Sequence, residues 1–358
     1  MKVISVVGAR PQFVKLAPID HAFAKAGIDH QIAHTGQHYD PEMSQSFFDE
    51  LQISAPHFNL GVGSGSHAQQ TGAMLIALEK IFEENQPDLV LLYGDTNSTL
   101  AGAIAAVKLK IKIAHLEAGL RSFNRAMPEE HNRILTDHAA DLLLAPTNEA
   151  MKHLSAEGLG EKSIMVGDVM VDVCLATRER VLKSAPELPS EIASEKLSAD
   201  QYYVATIHRA ENTDDQDRIT AIIAAMQSLP LPVILITHPR LQSKADQFGI
   251  TLSSGSTHSV KSVSYPQMVS LVTNARGVIT DSGGLQKEAY ILATPCTTIR
   301  TETEWPETLI DGWNVLATPE SLAKDVARAK PSKETIFPYG DGHAAEKVAE
   351  VLLAKFGN

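Results

Sequence analysis

Residues 1–15, MKVISVVGARPQFVK, pass from an apolar, β-branched run at Val3–Val7 through Gly8 into a segment that carries Pro11 at its start. β-branched residues favour strands, and proline at an early helix position sacrifices nothing because the N–H there has no helical partner in any case. The stretch reads as strand, tight turn and helix. Its apolar part is too short for the core of a signal peptide, and Arg10 follows it at once.

The same alternation recurs downstream. Ile32–His34, Leu89–Tyr93, Ile111–His115 and Leu142–Leu144 read as strands, with helical stretches between them. Continuous apolar runs alternating with helices signal a parallel sheet covered on both faces. Near Gly167 the pattern pauses; a helical Val171–Leu182 and a Pro-, Ser- and Glu-rich stretch, Ser184–Asp200, read as a surface loop, follow. It restarts at Tyr202–Ile207, Val233–Thr237, Val260–Val263, Gly277–Thr280 and Cys296–Ile299.

The fold class expected is α/β, with two Rossmann-like doubly wound domains facing a cleft: 1–167, and 168–343. A last helical segment, 344–358, is free to pack back on the first domain. A length of 358 residues suits two cores better than one.

An apolar fraction of 44% and a charged fraction of 21% are those of an ordinary globular protein. The formal net charge of −12, with no basic run, argues against nucleic acid as a partner. No stretch of about 18 apolar residues is present, so no membrane span is expected. Two distant cysteines, Cys174 and Cys296, signal neither a disulfide framework nor zinc, and a cytoplasmic location fits. The 14 histidines include no helical HxxxH or ligand cluster with metal spacing, so no metal is expected.

In open α/β sheets ligands bind at the carboxyl ends of strands, so the turns there hold the candidate residues. Arg10 and Lys15 either face an anion at a helix N-terminus or are solvated charges on a proline-started helix. Thr280-Asp281-Ser282-Gly283-Gly284 lacks the Walker and dinucleotide patterns, yet its amides and the Ser282 hydroxyl suit a diphosphate; the plainer alternative is a tight strand-to-helix turn. Glu288, on the following helix, is placed to accept from ribose hydroxyls.

Asp95 ends a strongly apolar strand, where it serves as a ligand-edge carboxylate, as the N-cap of the next helix, or as both. Glu117 ends the next strand and has no obvious core role. Glu129 and Arg133, four apart behind Pro128, taken alone read as a surface ion pair. His208 and His238 end two strands of the second domain and suit contacts to a phosphorylated ligand. Acids in the first half and phosphate-binding elements in the second place the ligand in the cleft between domains.

Taken together, GARPQFVKLAP, HTGQHYD, YGDTNSTLAG, HLEAGLRS, PEEHNR, TIHRAEN, THPR, TDSGGLQKEA and IRTETEWPET resemble, over essentially the whole chain, the non-hydrolysing UDP-N-acetylglucosamine 2-epimerase family. The resemblance implies a GT-B-like architecture shared with many nucleotide-sugar glycosyltransferases, a UDP-sugar substrate, no cofactor and a homodimer. It further implies anti elimination of UDP to a 2-acetamidoglycal, followed by reprotonation from the other face and return of UDP. By the same matching Asp95, Glu117, Glu129, Arg133 and His208 belong to the reactive site, and Arg10, Lys15, Ser282, Gly283, Gly284, Glu288 and Arg300 hold the nucleotide. Gln37, Gln70 and His238 match a second, allosteric site for activating substrate, although Asp40-Pro41-Glu42 interrupts a Gln-His-Arg segment used there by some members.

The chain departs from the common pattern at Gln286-Lys287-Glu288, at Thr303-Glu304-Trp305-Pro306-Glu307 and in a short Ser122–Met127 segment. These features resemble the branch that epimerises UDP-2,3-diacetamido-2,3-dideoxyglucuronate, whose extra carboxylate would meet Arg125 first and Lys287 second. A glycosyltransferase, a hydrolysing epimerase and a nucleotide-sugar sensor are the other readings of the same fold.

Overall fold

The computed structural model describes residues 1–37, 53–193, 197–332 and 338–357. They divide into two compact units: Met1–Val173 with Pro338–Asn358, and Cys174–Phe337.

The first unit is built on seven parallel strands: β1 (Lys2–Val7), β2 (Asp29–His34), β3 (Phe58–Asn59), β4 (Leu89–Tyr93), β5 (Lys112–Leu116), β6 (Leu142–Ala145) and β7 (Ser163–Met165). Their order across the sheet is β3-β2-β1-β4-β5-β6-β7. Every side chain of β4 is fully buried, because the pleat sends alternate residues into two different cores. Val3, Val7, Leu89 and Leu91 meet Phe13 and Phe23 of helix Arg10–Ala26 and Val348 and Leu352 of helix Ala344–Phe356. Ile4, Val6, Val90 and Leu92 instead meet Met74, Leu78 and Phe82 of helix His67–Asn85 and the alanines of helix Asn97–Lys108. Each such buried Leu or Ile contributes about 2 kcal/mol.

The second unit repeats the plan with β8 (Tyr203–Thr206), β9 (Val233–Ile236), β10 (Thr257–Val260), β11 (Gly277–Thr280), β12 (Cys296–Thr298) and β13 (Asn314–Leu316). The order is β10-β9-β8-β11-β12-β13, again all parallel.

Three details correct the sequence reading. Strands β3, β7 and β13 are two or three residues long and none carries a fully buried apolar side chain, so they leave no apolar run. The strand expected at Val260–Val263 ends at Val260, so its paired residues are Thr257–Val260. The stretch Ser184–Asp200 contains the short helix Ser190–Ala193. Among the described residues no helix is long and apolar enough to cross a membrane.

Chain progress reverses once in each sheet, between β1 and β4 and between β8 and β11. A crevice opens beyond the carboxyl ends of the strands at such a reversal. The turns after β1, β4 and β5 in one unit, and after β8 and β11 in the other, carry the motifs singled out above.

Candidate active site

Gln12 fastens the first reversal. Its Oε1 accepts from the Gly8 and Ala9 amides at 2.8 and 3.1 Å, and its Nε2 donates to the Tyr93 carbonyl at 2.8 Å and to Thr96 Oγ1 at 3.0 Å. One buried amide thereby locks the turn after β1 to the turn after β4. Beyond it Gly94 takes φ +60°, and Thr96, not Asp95, caps helix Asn97–Lys108 by accepting from Thr99 N–H. The capping role expected of Asp95 is therefore filled one residue later, where the extended backbone of Thr96 aims its hydroxyl at the helix. The Asp95 carboxylate pairs instead with Arg133, whose Nη2 donates to Oδ2 at 2.6 Å.

Arg133 does not form the surface pair with Glu129 that its spacing suggested. Its second nitrogen donates to Glu130 Oε2 at 2.8 Å. Glu130 is buried and also accepts from the Ser122 amide and hydroxyl and the Phe123 amide, each at 2.9 Å. Burial alone would raise the Glu130 carboxyl, but these amides, the hydroxyl and Arg133 hold it below the usual range. Glu129, in the first turn of helix Pro128–Ala139, stays half-buried.

Glu117, at the end of β5, sits at φ +68°, a left-handed conformation costly for a side chain with a Cβ. That turn aims its Oε2 at Lys15 Nζ, and both side chains are largely buried. Burial would lower the Lys15 ammonium, but the hydrogen bond and charge of Glu117 outweigh it and raise the pKa.

Behind these groups runs a fully buried relay. His115 Nε2 lies 2.7 Å from the Gly94 carbonyl and Nδ1 lies 2.6 Å from Asp137 Oδ1. Asp137 also accepts from Arg121 at 2.8 Å and from the Gly119 amide at 3.1 Å. One carboxylate on helix Pro128–Ala139 thus ties together the turns that carry Asp95 and Glu117.

In the second unit the fully buried Asp281 accepts from the amides of His208 and Arg209 and from Asn212 Nδ2, at 2.9–3.1 Å. It holds the turn after β8 to the turn after β11, and its Oδ1 is 3.2 Å from His208 Nδ1. Burial lowers the His208 pKa; Asp281 opposes this, and His238 and Arg209 reinforce it. The His238 ring lies 5.3 Å from that of His208, and its Nδ1 caps helix Pro239–Phe248. Ser282 caps helix Gly283–Ile291. A Cβ on Gly283 would come within 2.1 Å of Glu304 Oε1, so a larger residue there would displace that carboxylate. Arg300 pairs with Glu304 at 2.5 Å, and Glu288 is half-buried two turns along the helix from Ser282.

Of the remaining candidates, Gln37 accepts from the Ser98 amide at 3.0 Å and Gln70 accepts from Asn97 at 3.1 Å, so both are tied to the start of one helix. His238 belongs to the other unit. Arg125 is exposed, with its carbonyl 2.9 Å from His131 Nε2, whereas Lys287 is buried with Nζ 4.3 Å from the centre of the Trp305 ring. The side chain of Arg10 and the segment Asp40-Pro41-Glu42 lie outside the described residues.

The residues missed in sequence, Gln12, Glu130, Asp137 and Asp281, are buried polar groups; Gln12, Asp137 and Asp281 bind partners remote in sequence, whereas those of Glu130 lie within eight residues. Only Glu130 left a trace: it stands three residues before Arg133, as close on a helix as Glu129 at four.

The UDP-N-acetylglucosamine 2-epimerase family model matches residues 21–353. The chain belongs to the UDP-N-acetylglucosamine 2-epimerase family. It is 45% identical to a UDP-N-acetylglucosamine 2-epimerase homolog of Methanococcus maripaludis, over 98% of this chain and 99% of that one. With the same coverage it is 42% identical to the UDP-2,3-diacetamido-2,3-dideoxy-D-glucuronate 2-epimerase of Pseudomonas aeruginosa. The crystal structure of the Methanocaldococcus jannaschii UDP-GlcNAc 2-epimerase in complex with UDP-GlcNAc and UDP superposes with a TM-score of 0.83 at 40% identity, covering 99% of this chain and 100% of that chain. As in that epimerase structure, this family member's fold is α/β with two parallel sheets.

Proposed function

We propose that the chain is an isomerase that interconverts UDP-GlcNAc and UDP-ManNAc by inverting C2. A base takes the C2 proton while the C1–O bond breaks and its electron pair leaves with UDP, giving a 2-acetamidoglycal. A proton is then delivered to C2 from the opposite face as a UDP oxygen re-forms the bond to C1. Every electron pair stays within the substrate and UDP, so no oxidant or reductant is consumed.

The observation that carries this reading is the convergence of Asp95, Glu117 and their cations Arg133 and Lys15 at one strand-order reversal. Removal of a weakly acidic proton needs a positioned carboxylate, and a departing diphosphate needs cations and backbone amides. In this reading the first unit supplies the acid–base groups Asp95, Glu117 and Glu129, with Arg133 beside Asp95 in the reactive site. The second supplies His208 as a reactive-site residue, and Ser282, Gly283, Gly284, Glu288 and Arg300 for UDP. Arg10 and Lys15 assist the departing anion, and Gln37, Gln70 and His238 are assigned to an activating site.

An NMR time course with UDP-GlcNAc alone tests the reaction class. Growth of UDP-ManNAc without free UDP is expected; UDP rising in step with free sugar would mean hydrolysis instead. A second reading, in which the substrate is UDP-2,3-diacetamido-2,3-dideoxyglucuronate, is favoured by the 42% identity to the Pseudomonas aeruginosa enzyme and by the exposed Arg125. A site built around that carboxylate rejects a sugar lacking it, because a cation is left unpaired. The ratio of kcat/KM for the two sugars, and its response to Arg125→Ala, decides between them. The buried free thiols of Cys174 and Cys296 suit the cytoplasm, and a homodimer is the assembly to test by light scattering.

A further inference from the structure

Glu304 places a carboxylate of the protein's own against the turn read above as the diphosphate site. Its Oε2 accepts from Arg300 Nη1 at 2.5 Å, and Arg209 Nη2 lies 3.5 Å from Oε1. That Oε1 occupies the space beside Gly283 that any larger residue would need. The site is the start of the helix Gly283–Ile291, where the backbone dipole favours negative charge. Two guanidinium groups and a helix start around one carboxylate form an anion site filled from within.

The chain on either side is pinned, so the carboxylate alone is free to turn. Thr303 donates its hydroxyl to Gln286 Oε1 at 2.5 Å, and Trp305 lies under the Lys287 ammonium, 4.3 Å from the ring centre. Both partners stand on the helix that Glu304 faces. The Glu304 side chain, by contrast, is 41% exposed, against 8% for Arg300. Arg300 Nε makes no hydrogen bond, and Glu211 stands 4.0 Å from it. The buried guanidinium is thus fixed in place with donor capacity to spare, while its present partner reaches in from solvent.

We infer that Glu304 is a built-in competitor for the diphosphate: it neutralises Arg300 and Arg209 in the free enzyme and swings aside when a nucleoside diphosphate arrives. This makes Arg209 a further diphosphate ligand. The inference rests on the reading of the turn as a UDP site. It predicts that Glu304→Gln, which keeps the shape and removes the charge, tightens UDP about fivefold, the scale of a half-exposed ion pair, and leaves uridine unchanged. Glu211→Gln, which removes an equal charge outside the turn, should move UDP affinity less than twofold by the same scale.

Calorimetric titration of the three full-length proteins with UDP and with uridine tests this. UDP binding equally well or more weakly to Glu304→Gln overturns the competitor, as does equal tightening by Glu211→Gln, which would reduce the effect to net charge. No UDP binding by the unaltered protein would overturn the UDP reading itself along with it.

Discussion

Arg133 donates to the Asp95 carboxylate across 2.6 Å, joining helix Pro128–Ala139 to the turn after β4. With its other nitrogen it holds Glu130, which clasps the Ser122 and Phe123 amides. Neighbouring acids on one helix therefore stand differently: Glu130 closes a loop, and Glu129 is the one we propose for the substrate.

The difference is measurable. Asp95→Asn, Glu117→Gln and Glu129→Gln should each lower kcat at least about a hundredfold with UDP affinity much less affected, as expected of acid–base groups. Glu129→Gln should leave the melting temperature within about a degree, whereas Glu130→Gln, which weakens hydrogen bonds to a buried carboxylate, should cost about 2 kcal/mol in urea unfolding. Equal stability of the two variants would remove the distinction.

Gly94→Ala tests the turn itself. A side chain there is strained at φ +60°, and its Cβ would stand 3.2 Å from Glu117 Oε2 and 3.7 Å from Lys15 Nζ. The backbone penalty is about 1 kcal/mol. Displacement of Glu117 should add a fall in kcat of about tenfold or more, since small misplacements of reacting groups are costly. A fully active Gly94→Ala would show that the Lys15–Glu117 geometry is not limiting.

The His115 relay gives a third expectation. Asparagine at this position mimics Nδ1 and can still reach Asp137, while glutamine mimics Nε2 and can still reach the Gly94 carbonyl. If the tether to Gly94 aims Asp95, kcat should fall about tenfold further in His115→Asn than in His115→Gln. Loss of activity in proportion to loss of melting temperature in both variants would reduce the relay to a matter of stability.

Asp20 gives the pH dependence. Its carboxylate lies 2.7 Å from His30 Nδ1 and accepts the Ser54 amide at 2.8 Å. Burial would raise its pKa, but these partners lower it from 3.8 to about 2. Folding therefore favours the ionised form: the stabilisation is fully present above the unfolded value and is lost as pH falls through the folded one. At neutral pH it amounts to about 2 kcal/mol, roughly halved by pH 3. The stability gap between the wild type and Asp20→Asn should narrow accordingly across pH 5, 4 and 3. A gap constant over that range would refute it.

Sequence by itself determined the α/β class, the long strands and the turns that matter, because all of these are local. An apolar run such as Leu89–Tyr93 must be buried on both faces wherever it lies, and a Gly-Asp or Ser-Gly-Gly turn after it is visible without its partners. Local pattern could not determine which charge meets which. Arg133 has Glu129 and Glu130 within equal reach along its helix, and only the packing of that helix beside β4 and β5 turned it to Asp95 and Glu130. The capping of one helix by Thr96 instead of Asp95 was settled by the backbone angles of a turn that Gln12 holds from the helix after β1. Asp137 left no sequence signal and Asp281, though inside a turn that was visible, showed none of its partners, since a buried carboxylate is stable only with donors that the tertiary structure brings from tens of residues away.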